Sequence, residues 1–346
     1  MNIFFKGQEY LLMIVFVFMA VGLIKDHQLF NSFFYYIKQV VRSNRALIAI
    51  LSAVGGLLPI SGRVTVSAGM LDTVAPKRGQ AGREHYGVVD YLSTHHYYLW
   101  SPLEATVLVP MAAFGLTWLA FMQIMWPLLV ASIALIILYI LYAVKETDVV
   151  VTPITDFNFK ISEIVRNVVP MIAAIAATIK GIDVAWVFGL LTLYYCLITR
   201  TWDIKKLLSY VNWEVIAIVA VIIVFGNYVK GYEKEITAYI KESSFDLETL
   251  KGFLLVSGLA FSSSLLLGSS GRFVAMAVLL TQLYGQQYFL WFFALEYAGY
   301  LLSPAHKCVA VGKSYFGTPL TKYYKILGLW SALIILVGFI CTFLFK

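Results

Sequence analysis

Charge is what this 346-residue chain has least of: 13% of its residues are Asp, Glu, Lys or Arg, against 60% hydrophobic ones. A water-soluble fold of this length could not bury so much apolar surface, and several runs of roughly 18–25 residues are long enough to cross a bilayer. Cysteine is scarce too. Cys196, Cys308 and Cys341 all lie inside apolar stretches, and an odd number without framework spacing argues against structural disulfides and against a zinc site. There is no Walker loop, dinucleotide fingerprint or nucleophile elbow, so neither ATP-driven pumping nor an enzyme is expected. The apolar runs lack the period-two alternation of a membrane barrel. The first of them, residues 10–24, has no small-residue cleavage site and is followed by basic residues, so it reads as a retained span rather than a signal peptide.

What is present points to an all-α polytopic membrane protein whose partner is the lipid bilayer. The formal net charge is +7, but the basic residues sit between spans, which is the signature of membrane topology rather than of nucleic-acid binding. Segments 25–45, 76–96, 145–166, 200–210 and 313–325, all read as connections on one side, hold roughly sixteen Lys and Arg, against about seven on the other side. The expectation is a multi-pass protein of the cell (cytoplasmic) membrane with both termini on the non-cytoplasmic face.

The chain also says two things twice. Ser61-Gly62-Arg63 interrupts one apolar run, and Ser269-Ser270-Gly271-Arg272 interrupts another about two hundred residues later. Ser101-Pro102 with Phe114-Gly115 is matched, in the same order, by Ser303-Pro304 with Phe316-Gly317. A short apolar run, a polar break and a second short run read as a re-entrant hairpin, and Ser-Pro inside a span reads as a broken helix. Residues 1–144 then form repeat 1: a span, an interfacial helix, a hairpin over 46–75, a broken helix over 97–118 and a span. Residues 145–211 supply linking spans. Residues 212–346 form repeat 2: a span, an amphipathic segment, a hairpin over 251–284, a broken helix over 288–317 and a span. Five crossings before the second repeat make the two repeats inverted, and paired broken helices in inverted repeats are the sequence pointer to a secondary-transporter site.

The hairpin tips are the candidate substrate site. Arg63 and Arg272 follow small residues where half-helices start. A guanidinium beside free helix amides suits an anion, and an intramembrane arginine is a functional hypothesis by default. Ser61, Gly62, Thr65, Ser269, Ser270 and Gly271 add hydroxyls and close backbone approach. The structural alternative pairs the arginines with Asp72 and Glu296. Ser101, Pro102, Ser303 and Pro304 free backbone carbonyls that could hold a coupling ion, and Glu104 and His306, aligned by the repeats, are candidate proton carriers. His95-His96 lacks the spacing and companions of a metal site. No cofactor is expected beyond Na⁺ or H⁺ as coupling ion.

The run Gly299-Tyr300-Leu301-Leu302-Ser303-Pro304-Ala305-His306-Lys307-Cys308, the Phe316-Gly317 pair and the two Ser-Gly-Arg tips resemble the ion transporter superfamily. This group includes carriers of citrate, gluconate, dicarboxylates and arsenite, and sodium/proton antiporters. Within it the chain is most similar to a family of uncharacterised prokaryotic integral membrane proteins. The resemblance implies inverted repeats, symport of a small anionic solute with Na⁺ or H⁺, and a homodimer. The tips lack the Ser-Asn-Thr signature of the dicarboxylate carriers, so no particular solute follows. The alternatives are a cation/proton antiporter using Glu104, Asp72 or His306 and, from a different class, an intramembrane enzyme or a non-transporting membrane protein.

Overall fold

The structure, a computed structural model, describes residues 3–41, 43–56, 63–72, 74–76, 80–145 and 161–344. Helices are the only extended regular elements among the described residues, as expected where backbone polar groups have no water to bond. The chain opens with α1 (Ile3–Asp26) and α2 (Asn31–Val40), followed by α3 (Asn44–Gly56) and α4 (Arg63–Asp72). Next, α5 (Arg83–His95) continues through a 3-10 turn (His96–Leu99) to α6 (Ala105–Phe114) and α7 (Trp118–Ala143). The middle of the chain comprises α8 (Ile161–Ile179), α9 (Val184–Thr199) and α10 (Ile204–Ser209). The last part comprises α11 (Trp213–Gly231), α12 (Glu233–Glu242), α13 (Leu250–Leu267), α14 (Ser270–Tyr284), α15 (Phe289–Leu302), α16 (Lys307–Phe316) and α17 (Leu320–Phe339).

Among the described residues, α7, α8, α13 and α17 with its extension to Leu344 are long and apolar enough to cross a bilayer. Residues Ile14–Asp26 of α1 and the whole of α2 pass the same test together, as a pair bent by 64°. The outward faces match that reading. Trp126, Val130 and Leu138 on α7, and Trp186, Leu190 and Leu197 on α9, are all exposed, which a lipid environment favours and water does not.

Helix ends follow local chemistry. Thr117, Asp183, Asn212 and Thr249 each accept a backbone N–H at the start of α7, α9, α11 and α13. The two Phe-Gly pairs of the sequence do the same job at two places. Phe114 and Phe316 are the last residues of α6 and α16, and the following Gly115 and Gly317 adopt φ of 65° and 68°, the left-handed stop that glycine takes without strain.

Two helices form the interior. In α15, every residue from Phe289 to Leu301 is buried, as its all-round apolar sequence requires. In α5, every residue from Tyr86 to His95 is buried too, although that sequence is polar. Here the structure corrects the reading of residues 76–96 as a polar connection: from Arg83 onward they are a helix packed against α3, α4, α7 and α16. Arg83 is thus a buried helix residue rather than a loop charge. Most of the cost of burying α5 is offset by bonds inside the protein: Arg83 to Asp72 and to the Tyr315 carbonyl, Thr94 to the Asp90 carbonyl. Close approach does the rest. Gly87 of α5 and Gly312 of α16 face each other where a side chain on Gly312 would collide with the Tyr323 hydroxyl.

The remaining contacts pair the helices crosswise. α4 packs on α16, and α14 packs on α6, while α3 and α4 also lie on α5, and α13 and α14 on α15. Gly299 sets the α13–α15 distance, because a Cβ there would overlap the backbone carbonyl of Phe261. Gly299→Ala is therefore expected to destabilise the protein by about 1–3 kcal/mol, the cost of overpacking a core. Gly258→Ala on α13, with open space around it, should leave the thermal midpoint in detergent unchanged or raise it. The pair of midpoints checks the packing directly.

Candidate functional site

The site is built from three buried polar groups on the two interior helices. The first is Asp90 on α5, which is 0% exposed. The Ser67 hydroxyl, on α4, donates to its Oδ1, while Oδ2 is buried without a partner among the described residues. A buried carboxylate with one oxygen unmet is costly in an apolar setting, so an ion or proton at that oxygen would remove the penalty.

Glu296, in the middle of α15, is the second group and is also 0% exposed. Ser264 on α13 donates to Oε2, and the Ser263 hydroxyl lies 2.9 and 3.0 Å from the two carboxylate oxygens. Each interior helix thus carries one buried carboxylate, bonded to serine hydroxyls from the helix pair that precedes it in the chain. The two differ in detail: Ser67 lies on the second helix of its pair, whereas Ser263 and Ser264 lie on the first of theirs.

The third group joins the two halves. His306, in the break between α15 and α16, places Nε2 3.1 Å from Nε2 of His95 at the end of α5. Its Nδ1 lies 2.7 Å from the Tyr91 hydroxyl. His95 Nδ1 faces the Tyr91 carbonyl at 2.7 Å. A carbonyl only accepts, so that nitrogen carries the proton and Nε2 of His95 presents its lone pair to His306. Tyr300 and Tyr98 close the group: their hydroxyls are 2.9 Å apart, and that of Tyr300 is 3.1 Å from His306 Nε2. Tyr297 donates to the His95 carbonyl at 2.9 Å, tying α15 to α5 at the same level.

The sequence-derived candidates distribute around this core unevenly. Ser61 and Gly62 lie outside the described residues; Arg63 is the first residue of α4, and its side chain and that of Thr65 are likewise not described. Gly271 is buried at the start of α14, against Ile218 and Val215, and Ser269 and Ser270 are half-buried beside it. Arg272 pairs with Glu214 of α11 at 3.2 Å, half exposed, beside an apolar pocket lined by Ile218, Val221, Ile222 and Leu279. Of the partners considered for the arginines, Glu296 bonds to the two serines while Arg272 takes Glu214; Asp72 pairs with Arg83, and the Arg63 side chain lies outside the described residues.

Ser101, Pro102 and Glu104 are buried between the 3-10 turn and α6, with Glu104 as the residue before the helix. Ser303 is buried and Pro304 exposed between α15 and α16. Gly268, which ends α13 with φ of 57°, sits so close to Ser303 and Ala305 that a Cβ would lie 2.7 Å from Ser303 Oγ. The turn between α13 and α14 therefore touches the break that holds His306. Asp90, Glu296 and Tyr91 were not among the sequence candidates. A charged residue isolated in an apolar run, as Glu296 is, was the available signal.

Ionisable side chains gathered on two buried helices, inside a shell whose outer faces are apolar, define the class: this is a multi-pass helical membrane protein. The chain belongs to the family described as "Protein of unknown function (DUF401)", which matches residues 6–344. No curated protein matches the chain.

The Glu296 pairing yields a direct check. Replacing Ser263 and Ser264 together with Ala should cost about 1–3 kcal/mol, because the carboxylate is left buried without donors. In a Glu296→Ala background the same serine changes should cost less, giving a coupling of about 0.5–3 kcal/mol in a double-mutant cycle. Thermal or denaturant unfolding in detergent measures all four corners of the cycle.

Proposed function

We propose that this protein is a secondary active transporter that moves a small anionic solute, a carboxylate or oxyanion, by alternating access coupled to H⁺ or Na⁺. The observation that carries the proposal is the pair Asp90 and Glu296: one fully buried carboxylate on each interior helix, Asp90 held by one serine and Glu296 by two, all from the preceding helix pair. Buried carboxylates in membrane helices are the groups on which transporters carry protons and small cations. The same reading takes α3–α4 and α13–α14 as re-entrant hairpins of two inverted repeats. Its support is the crosswise packing of α4 on α16 and α14 on α6, and the left-handed glycine that ends both α6 and α16.

The resemblance to the ion transporter superfamily belongs to this proposal, as do a homodimer, the cytoplasmic membrane and termini on its outer face. The solute would bind at the hairpin tips, where α14 starts at Ser270 and presents free amides beside Ser303 and Ala305.

One observation favours a second reading. Arg272 is paired with Glu214 at the periphery and the buried Arg83 with Asp72, while Asp90 and Glu296 bond to serines, an arrangement equally suited to a cation/proton antiporter. Uptake in proteoliposomes under imposed Na⁺ and pH gradients separates the two. Anion accumulation that needs one of the gradients supports symport. Proton efflux driven by Na⁺ or Li⁺ with no permeant anion supports antiport. In either case Asp90→Asn and Glu296→Gln should each lower gradient-driven flux at least about tenfold, a loss of about 1.4 kcal/mol or more, while remaining monodisperse in detergent. Wild-type flux in both variants would remove the carboxylates from the account.

A further inference from the structure

We infer that His95, His306 and Cys308 form a binding site for a transition-metal cation of the zinc class. One ligand atom of each lies within 4.8 Å of the other two. The histidines are buried, and Cys308 is half-buried, so the thiol marks the edge from which an ion would enter. The site escapes the sequence because its parts are far apart. His95-His96 has no third ligand nearby, and the fold brings His306 to it across 211 positions, with Cys308 two residues further on.

The spacing of the two nitrogens matches the metal, and the Cys308 sulfur, within 4.8 Å of them, needs only to close inward. Tetrahedral zinc with Zn–N of about 2.0–2.1 Å holds its nitrogen ligands about 3.3 Å apart, and the two Nε2 atoms stand 3.1 Å apart. Two imidazoles and a thiolate select zinc and its borderline or soft neighbours over Na⁺ or Mg²⁺. The surrounding groups orient the ligands as metal sites require. The proton on His95 Nδ1 is fixed by the Tyr91 carbonyl at 2.7 Å, which turns the Nε2 lone pair inward. For His306 to ligate through Nε2, its Nδ1 must carry a proton. The Tyr91 hydroxyl at 2.7 Å can accept it while donating to the Leu301 carbonyl at 3.3 Å, and the Tyr300 carbonyl lies 3.3 Å from the same nitrogen. Every proton then has an acceptor. Three protein ligands leave a fourth position for water or solute, the mark of an exchanging rather than a sealed structural site. Binding converts the Cys308 thiol to thiolate and releases its proton to solvent.

This inference does not rest on the transport proposal, because it is read from metal binding to the purified chain. Full-length protein in detergent is stripped with chelator and titrated with Co²⁺, then with Zn²⁺ in competition. The expected result is one metal per chain, a thiolate-to-cobalt charge-transfer band in the near ultraviolet, and its loss when Zn²⁺ displaces Co²⁺. Cys308→Ser should abolish the band, and His306→Ala should weaken Zn²⁺ binding by more than the about 10–100-fold that removal of an outer partner costs. Tyr91→Phe should fall within that 10–100-fold range, and Cys196→Ser should bind like the wild type. The inference is overturned if Co²⁺ binds without a thiolate band, if Cys308→Ser retains the band, or if the folded wild-type chain binds no metal in stoichiometric amount.

Discussion

The structure depends on burying a polar helix in an apolar medium. The protein interior offers no water to the side chains of α5, so each polar group there must be met from within the protein or left at a cost of several kcal/mol. Ser67 answers Asp90, Asp72 answers Arg83, and His306 answers His95. These partners come from α4, its last residue included, and from the break after α15, so the polar groups of α5 are met only when distant parts of the chain are packed around it. The close glycine contact between α5 and α16 and the bond from Tyr297 to the His95 carbonyl have the same consequence. The polar groups that are costly to bury thus also fix how the halves dock.

That constraint explains why function and fold share residues. An apolar α5 would pack more simply, since replacing buried polar pairs by hydrophobic ones is often neutral or stabilising. Retaining Asp90, His95 and Glu296 in the buried interior makes sense if they meet something that enters: a proton or Na⁺ at the carboxylates, a metal at the histidines. Asp90 Oδ2, buried without a partner among the described residues, is the sharpest instance.

What could be read from the sequence was what the backbone writes directly. Ser-Pro and Phe-Gly pairs act on their own helix ends, so their positions carry meaning without the rest of the fold, and Ser303, Gly115 and Gly317 all lie where helices stop. Apolar runs gave the membrane class for the same local reason. Helix α5 was not legible, because hydropathy scores Asp90, Thr94 and His95 as solvent-seeking, and their partners Ser67 and His306 lie 23 and 211 positions from Asp90 and His95. Charge pairing failed likewise. Glu296 was a plausible partner for Arg272, but the fold gives Glu296 to Ser263 and Ser264 and Arg272 to Glu214, and it sets Arg83 against Asp72.

The central claim is that Asp90 and Glu296 carry the ion that drives the cycle, and charge movement tests it most directly. Proteoliposomes adsorbed on a solid-supported membrane are subjected to rapid jumps in Na⁺ or H⁺ concentration. The account predicts a transient current in the wild-type chain for one of the two ions, absent when Asp90 and Glu296 are neutralised together. A wild-type chain silent to both ions, or a neutralised one that gives the same current, would contradict it.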